Sequence, residues 1–557
     1  MNGRRIETAL QAGAGQHPRP VLDIGFDRIR AGHGHQCGTW RCAANVDLVT
    51  GSGSRVARAC AVGTVALALV ATPSCGSDAH PASGAPSAAT HARSAAPVPS
   101  AAAVPIPTVA PVGPFAPVTR LVNEAIEAHR LPGAVVQIGH GGAVAFRQAY
   151  GARRLADEPA VDGSTAPAEP MTDDTIFDLA SLTKALSTTV AALQLYEKGL
   201  VRIDDPVQVY FPEFNSGNDP RRAQVTLRML LTHTSGTGGD LSHQGPWGLT
   251  AADKAEGIHR ALTAPLEFGP GEGFHYSDLN FIILGALVEK ITGEDLDIYV
   301  QDNVFAPLGM VDTRYLPATK ACGPHQIRGN AIAFGGPEVE QCASGTWNTS
   351  LLARIAPTAH DDDTPGINPD FGQLLRGTVH DPTARRMGGV AGSAGVFSTV
   401  DDMGRYAQAL LDRLAGRPST FPLKQSTLEM ITTPQQPGHH AGQLAAANDA
   451  TRLAIEKRRG TTDPLLAPNY PAVAGQDLRG FGWDIDTEHS RPRGMVFPVG
   501  SFGHTGFTGV TLWMDPGSDT YVVVLANVIH QRGGPPIVRL SGDVATEAAR
   551  ALQLYGN

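Results

Sequence analysis

The sequence predicts an α+β fold in which both ends of the folded part form one antiparallel sheet and a mainly helical part is inserted between them. β-like hairpins with turn residues lie near each end, whereas the middle, roughly residues 175–475, shows helical spacing and long loops. The 557 residues suffice for one large or two ordinary domains with an ample core.

The folded part is predicted to open with a helix and a hairpin. Residues 118–130 have helical spacing, and residues 134–139 and 143–150 form β-like runs joined by the His-Gly-Gly sequence at 140–142. We expect this first sheet part to span about residues 116–170.

The other end of the chain mirrors this arrangement. β-rich runs at 509–514 and 521–527 are separated by residues 515–519, Asp-Pro-Gly-Ser-Asp, which place Pro and Gly where a turn needs them. A last helix is predicted near residues 537–554. The second sheet part should therefore span about residues 480–557.

The helical part, about residues 171–479, contains two stretches that are too irregular for a compact core. Residues 315–380 and 430–478 are rich in Gly, Pro, Asp and His and are interpreted as loops. One of them carries His360 followed by three aspartates, 361–363. No His-x-x-x-His or paired-Cys spacing accompanies this run, so we interpret it as a solvated loop and predict no metal site.

Ahead of the folded part, residues 55–75 have the order of a signal peptide. The basic run 55–58 precedes the apolar run 59–71, and small residues follow. Cys75 then resembles the lipidation site of a bacterial lipoprotein, although Thr72-Pro73 replaces the usual aliphatic and small residues. A short internal apolar helix is the alternative interpretation.

The segments on either side of residues 55–75 differ in composition. Residues 1–54 lack periodicity and are interpreted as a disordered or misassigned upstream segment, with translation expected to start near Val46 or Val49 through a non-AUG codon. Residues 76–115 are rich in Ala, Pro and Ser and are interpreted as an extended linker. We therefore expect an exported protein, either lipid-anchored at the cell envelope or secreted.

Composition and charge exclude several classes of protein. Lys and Arg total 44 and Asp and Glu 53, so the formal net charge is −9, whereas a nucleic-acid binder would present a basic face. No run reaches the roughly 18 consecutive apolar residues of a membrane-spanning helix. Six cysteines are too few for a disulfide-built scaffold, but Cys322 and Cys342 are candidates for a pair in an oxidising compartment, two free thiols being the alternative.

The pattern that points to chemistry begins with Ser181-x-x-Lys184, at the start of a strongly helical run. Residues three apart share a helix face, so the hydroxyl and the amine should lie together. An amine can take a proton from a hydroxyl if burial depresses its pKa. On its own the pattern is weak, and a helix start with an exposed Lys is the simpler interpretation.

Two further motifs change that interpretation. Tyr276-Ser277-Asp278 precedes a helical run, and His504-Thr505-Gly506 precedes the penultimate strand. In this order the three motifs resemble those of the serine β-lactamase and penicillin-binding protein superfamily, in its class C-like branch. The resemblance covers about residues 118–550, and four more stretches support it: 200–206, 230–236, 307–310 and 388–395.

The resemblance implies the fold and activity of that superfamily. It implies a β-lactamase/transpeptidase-like fold and a serine hydrolase that acts through an acyl-serine intermediate on cell-wall D-peptides, β-lactams or small esters and amides. Envelope DD-carboxypeptidases and esterases are the most similar members. The alternative is a catalytically inactive protein of the envelope that binds peptidoglycan or β-lactams. The expected partners are small molecules or peptidoglycan fragments, and no nucleic acid.

Roles for single residues also follow from the resemblance. Ser181 is the implied nucleophile, Lys184 the proton acceptor beside it, and Tyr276 the residue that moves protons and activates water. The backbone N–H groups of Ser181 and Phe507 would form the oxyanion hole. The implied substrate-binding residues are Asp278, His504, Thr505, Gly506 and Phe507.

Two departures from the family pattern bear on the substrate. His504 stands where penicillin-recognising members usually have Lys, and a His with an ordinary pKa of about 6.5 is mostly neutral at pH 7. Recognition of a carboxylate is thereby weakened, and a neutral ester or amide is favoured. Asp278 replaces the usual Asn and is expected to pair with Lys184 or with a protonated His504. Pairing with Lys184 would favour Tyr276 as the operative base, provided that its pKa is lowered.

Other candidate motifs carry less weight. The Gly-x-Ser-x-Gly elbow is absent, and its nearest match, residues 391–395, has Ala first and favours close backbone packing. His380-Asp381 is interpreted mainly as a structural staple, with substrate contact as the alternative. His233 is expected to be a buried hydrogen-bonding residue. No nucleotide-binding fingerprint occurs, so no cofactor is predicted.

Overall fold

The computed structural model describes part of the chain, all of it within the unit Pro97–Asn557. The described residues are 108–333, 335–336, 341–458, 476–530 and 538–556. The predicted upstream segment, the signal peptide and most of the linker lie outside them.

An eight-stranded antiparallel sheet is built from both ends of the described chain. Strand Gly133–His140 pairs with Thr520–Ala526, and in this register Ala134 lies opposite Ala526. The predicted α+β class and the joining of the two chain ends in one sheet are therefore confirmed. In spatial order the strands are Leu478–Arg479, Asp484–Asp486, Phe502–Gly506, Val510–Asp515, Thr520–Ala526, Gly133–His140, Ala143–Arg154 and Glu169–Pro170.

The sheet is covered on both faces, because alternate residues of its central strands point to opposite sides. Val136 and Ile138 belong to a core that includes the helices Ala116–Glu127 and Val538–Ala551. Val135 belongs to the larger core on the opposite face, which the helical part fills.

The helical part contains most of the remaining elements. Its α-helices are Thr189–Glu197, Val207–Tyr210, Leu227–Leu231, Lys254–Thr263, Asp278–Thr292, Leu296–Val300, Pro382–Arg386, Val400–Leu414, Gln425–Thr432 and Gln443–Arg458. Two π-helical turns, Lys184–Thr188 and Gln301–Phe305, continue directly from or into α-helices. In the described residues no helix is long and apolar enough to cross a membrane.

Short strands hold the loops of this part together. One small sheet pairs Phe177–Asp178 with Val396–Ser398 and then Arg314–Tyr315. The interpretation of residues 430–478 as irregular is wrong for Gln443–Arg458, which is helical. The Ala, Leu, Glu and Lys residues of that segment favour helix, and this preference outweighs the Gly-, Pro- and His-rich flanks.

The two cysteines that the sequence singled out lie together. Cys322 and Cys342 form a disulfide with a Cα–Cα distance of 5.5 Å and a sequence separation of 20. The Cys322 side chain is buried in the described fold, whereas Cys342 is exposed.

Candidate active site

Ser181 lies on a tight turn between a short strand and a helix. Ala180, directly before it, has φ +45°, a left-handed conformation that is unfavourable for a residue with a Cβ. The Asp178 carboxylate stabilises this turn by accepting the Ala180 N–H at 2.9 Å. A π-helical turn, Lys184–Thr188, follows, as is frequent at functional sites.

Lys184 reaches Ser181 from within the core, and its side chain is fully buried. Its Nζ lies 2.9 Å from Ser181 Oγ, 2.9 Å from the Ser393 carbonyl oxygen and 2.5 Å from Asp278 Oδ1. The first two contacts are hydrogen bonds that the amine donates, and the third is an ion pair with the Asp278 carboxylate. The arrangement therefore fits a charged Lys184.

The electrostatics of Lys184 agree with that charge state. Burial alone would lower its pKa, but the neighbouring Asp278 carboxylate and the Tyr276 phenol outweigh this effect and raise the pKa above its ordinary value. Of the two pairings expected for Asp278, the structure has the one with Lys184.

Tyr276 is the third member of the cluster. Lys184 Nζ lies 5.2 Å from the centre of its ring, and both Ser181 and Lys184 act as hydrogen-bonding neighbours of the phenol. The condition set for Tyr276 as the base, a pKa that is lowered overall, is not met. Burial raises the pKa by more than Lys184 lowers it, and the Asp278 carboxylate raises it further.

The Tyr276 ring is fixed by a buried histidine. His233 stacks on it with a centroid distance of 4.3 Å and an interplanar angle of 26°. The His233 Nδ1 atom accepts the backbone N–H of Ser277 at 3.0 Å, which fixes the residue next to Tyr276. Burial lowers the pKa of His233 well below its ordinary value, so it is neutral.

His504 belongs to the strand that forms the other wall of the site. Only 1% of the residue is exposed, and its Nδ1 donates to the Thr505 carbonyl at 2.7 Å. Burial lowers its pKa to about 3, although the Asp484 carboxylate opposes the shift. His504 is therefore neutral at pH 7.

The residues after His504 lie against the turn that carries Ser181. A Cβ on Gly506 would lie 2.5 Å from the Leu179 carbonyl oxygen, so only glycine allows this approach. Thr508 Oγ1 donates to the Asp178 carbonyl at 2.8 Å. Among the described residues, neither Ser181 N–H nor the intervening Phe507 N–H has a hydrogen-bond acceptor. Both are available to an oxyanion.

Three carboxylates gather beside Lys184, and the sequence did not connect them. Oxygen atoms of Asp240, Asp278 and Asp381 all lie within 4.8 Å of one another. Burial, followed by the charges of Asp278 and Asp240, raises the pKa of Asp381 to about 8. The His380-Asp381 pair was visible as a motif, but no local pattern marks Asp240.

Ser393 was also missed as a partner of Lys184, because its contribution is a backbone carbonyl. It lies in the glycine-rich stretch 391–395, whose Gly392 allows the close packing that the sequence suggested. A Cβ on Gly392 would lie 2.0 Å from the Phe281 carbonyl and 2.9 Å from Gly285 N. This approach brings the stretch against the helix Asp278–Thr292.

With this geometry established, similarity to known proteins identifies the family. The model of the Beta-lactamase family matches residues 118–536, which is most of the chain. The chain belongs to the β-lactamase family. It is a serine hydrolase with the mixed helix and antiparallel-sheet fold of that family, as the three motifs implied.

Relatives of this β-lactamase-family hydrolase come from enteric bacteria. A protein of Escherichia coli strain K12 named "Putative D-alanyl-D-alanine carboxypeptidase" is 28% identical over 404 residues, covering 71% of this chain and 77% of that protein. The similarly named protein of Escherichia coli O157:H7 is 27% identical over 430 residues, covering 75% of this chain and 83% of that protein.

A solved structure supports the fold. Simvastatin synthase from Aspergillus terreus is 23% identical, with a TM-score of 0.53, and the match covers 80% of this chain and 100% of that one. At this identity the likeness concerns the fold alone.

Proposed function

We propose that this β-lactamase-family hydrolase is exported and forms an acyl-enzyme on Ser181, cleaving small esters or amides, β-lactams or cell-wall D-peptides. The observation that carries the proposal is the Lys184 Nζ to Ser181 Oγ hydrogen bond of 2.9 Å, with Tyr276 beside both groups. The names of the Escherichia coli relatives support peptidoglycan-derived substrates.

In the proposed reaction Tyr276, rather than Lys184, accepts the proton of Ser181. The ion pair with the Asp278 carboxylate keeps Lys184 charged, so it lacks a free electron pair for a proton. Its ammonium instead stabilises the negative charge that develops on Ser181 Oγ. The phenolate form of Tyr276 takes the proton as the oxygen attacks.

The proposed steps are balanced as follows. Ser181 Oγ bonds to the substrate carbonyl carbon, and the N–H groups of Ser181 and Phe507 bind the oxyanion. The bond to the leaving group breaks, and Tyr276 returns the proton to that group. Water then gives a proton to Tyr276 and attacks the acyl carbon. The bond from that carbon to Ser181 Oγ breaks, Tyr276 returns the proton to Oγ, and the acid leaves.

Labelling with two covalent reagents tests this proposal. A fluorophosphonate probe and a fluorescent penicillin should each label the wild type, with the adduct on Ser181 located by mass spectrometry. Ser181→Ala should lose the label, whereas Ser164→Ala, which removes an exposed hydroxyl elsewhere, should keep it. A wild type that binds penicillin without forming an adduct would contradict the proposal and favour the catalytically inactive binding protein.

Export is a second part of the proposal. The Cys322–Cys342 disulfide supports an oxidising compartment, and the signal-like order of residues 55–75 supports secretion with lipidation at Cys75. N-terminal sequencing and membrane fractionation of the protein and of Cys75→Ala test it. The variant should leave the membrane fraction. A mature protein that retains residues 1–45 would contradict the proposed signal.

A further inference from the structure

We propose that Phe507 and His380 form an aromatic subsite at the mouth of the catalytic cleft, which binds an apolar group of an uncharged ester. This inference rests on the proposed function, because it names the substrate class of that same site. The subsite consists of the two side chains alone, and the Phe507 N–H is a separate feature.

The position of Phe507 is fixed by its two neighbours in the chain. Gly506 lies against Leu179, and Thr508 donates to the Asp178 carbonyl at 2.8 Å. Both contacts are made to the short segment that leads into Ser181. The Phe507 side chain therefore projects from backbone that lies against the Ser181 turn, and in the proposed subsite it contacts a substituent of the bound ester.

The exposed side chain of Phe507 differs from an isolated apolar residue on the surface, because a second ring lies beside it. The residue is 73% exposed, and its ring lies nearly parallel to that of His380, at an interplanar angle of 21° and a centroid distance of 6.0 Å. Single exposed apolar residues are ordinary, but here two flat rings lie together, and both chain neighbours of Phe507 contact the segment that leads into Ser181. An apolar group laid against them would be removed from water.

His380 is held in place by its backbone. Its N–H donates to Asp178 Oδ2 at 2.7 Å, and its carbonyl accepts Arg385 Nη1 at 3.0 Å. Among the described residues its ring nitrogens make no hydrogen bond, so the ring is left as a flat face. Burial, assisted by the Arg385 charge, lowers the pKa of His380 to about 4, and the ring is therefore neutral at pH 7.

Charge decides the kind of occupant. Lys184 is already paired with the Asp278 carboxylate, and His504 is neutral, so the described cleft offers neither as a free cation for a carboxylate. The acidic residues Asp240, Asp278 and Asp381 add negative charge beside Lys184, although Asp381, with a pKa of about 8, is mostly protonated at pH 7, and this charge disfavours an anion in addition. An uncharged substrate with an apolar substituent meets neither obstacle, and the aromatic pair offers it contact area.

Two series of esters test the subsite. In one, nitrophenyl esters carry acyl chains from acetyl to octanoyl, and in the other, acetate esters carry alkoxy groups of increasing length. In one series or both, wild-type kcat/KM should rise by up to about fourfold per added methylene. Phe507→Ala should flatten this rise, and Phe507→Leu should keep part of it. His380→Ala should weaken the rise, whereas His380→Phe, which keeps a flat ring, should show the rise of the wild type.

The readout in each series is the ratio of kcat/KM for the longest ester to kcat/KM for the shortest. This ratio cancels any change in the oxyanion hole, because both esters use it. Val209→Ala, which truncates an exposed apolar residue of the helix Val207–Tyr210, should leave the ratio at its wild-type value. An unchanged ratio in Phe507→Ala would overturn the subsite while the fluorophosphonate adduct still supports the proposed function. A wild type that forms no adduct and cleaves no ester would instead overturn the function itself.

Discussion

The charge on Lys184 determines how the activity should depend on pH. Since Lys184 remains an ammonium, the group that loses a proton in the proposed reaction is Tyr276, whose pKa burial raises above its ordinary value of about 10. The fraction of phenolate then grows about tenfold per pH unit. We expect kcat/KM for a neutral ester to rise through pH 7–9. Asp278→Asn removes a charge that raises the Tyr276 pKa, so this variant should show the same rise at lower pH.

The control for this shift is Asp278→Glu, which keeps the carboxylate. Its rising limb should stay close to the position of the wild type, once the spontaneous hydrolysis of the ester has been subtracted at each pH. A wild-type profile that levels off near pH 6.5 would show that a histidine, and not Tyr276, limits the reaction.

His504 provides a second test at the scale of one residue. The neutral imidazole stands at the motif position where, as the family resemblance implies, a Lys would attract the carboxylate of a β-lactam. We expect His504→Lys to raise the acylation rate constant for benzylpenicillin by about tenfold, a modest share of what a charged hydrogen bond contributes. The rate constant for the penicillin methyl ester should not increase, and neither substrate should gain from His504→Gln. An equal gain for acid and ester would mean that charge at this position does not select the substrate.

At the scale of the elements, the sequence could predict residues that belong to local motifs and missed those supplied by packing. Ser181 and Lys184 meet because three positions along a helical turn suffice to bring them together. The Ser393 carbonyl and the Asp240 carboxylate reach the site only because loops close on it. That closure depends on backbone contacts such as the one between Gly392 and the helix Asp278–Thr292, which no local pattern encodes.

The residue before the short helix Pro382–Arg386 should make the stability of the protein depend on pH. Asp381 is its N-cap and accepts the Ala384 N–H at 2.7 Å. The folded pKa of Asp381, about 8, exceeds its unfolded value. Its contribution to stability is thus complete below about pH 4 and lost as the pH rises towards 8. Asp381→Asn keeps a good N-cap without the charge, so its melting temperature should exceed that of the wild type by more at pH 9 than at pH 5.

A matched control comes from another helix. Asp253 is the N-cap of Lys254–Thr263, accepts the Glu256 N–H at 3.0 Å and is exposed. Asp253→Asn should change the melting temperature by a similar small amount at both pH values. If the difference in melting temperature between Asp381→Asn and the wild type were the same at pH 5 and pH 9, the raised pKa of Asp381 would be contradicted.

At the scale of the whole molecule, the sheet was predictable because its information is local. The hairpins at 133–154 and 510–526 each show alternating apolar residues and turn residues. Burial of the apolar faces of both hairpins is then enough to bring them into one sheet. The order of the outer strands was not predictable, since Leu478–Arg479 and Asp484–Asp486 are two and three residues long. Strands this short leave too few side chains for a periodic signal.

The disulfide closes a short loop of the helical region, and its contribution acts mainly on the unfolded chain. Closing a loop of about 20 residues is worth about 3 kcal/mol in the chain-entropy model. We expect Cys342→Ser, at an exposed position where packing loss is small, to lower the free energy of unfolding by about that amount in urea titrations. Reductant should bring the wild type to the same midpoint and leave the variant unchanged. Equal midpoints for oxidised and reduced wild type would show that the loop is already constrained without the bond.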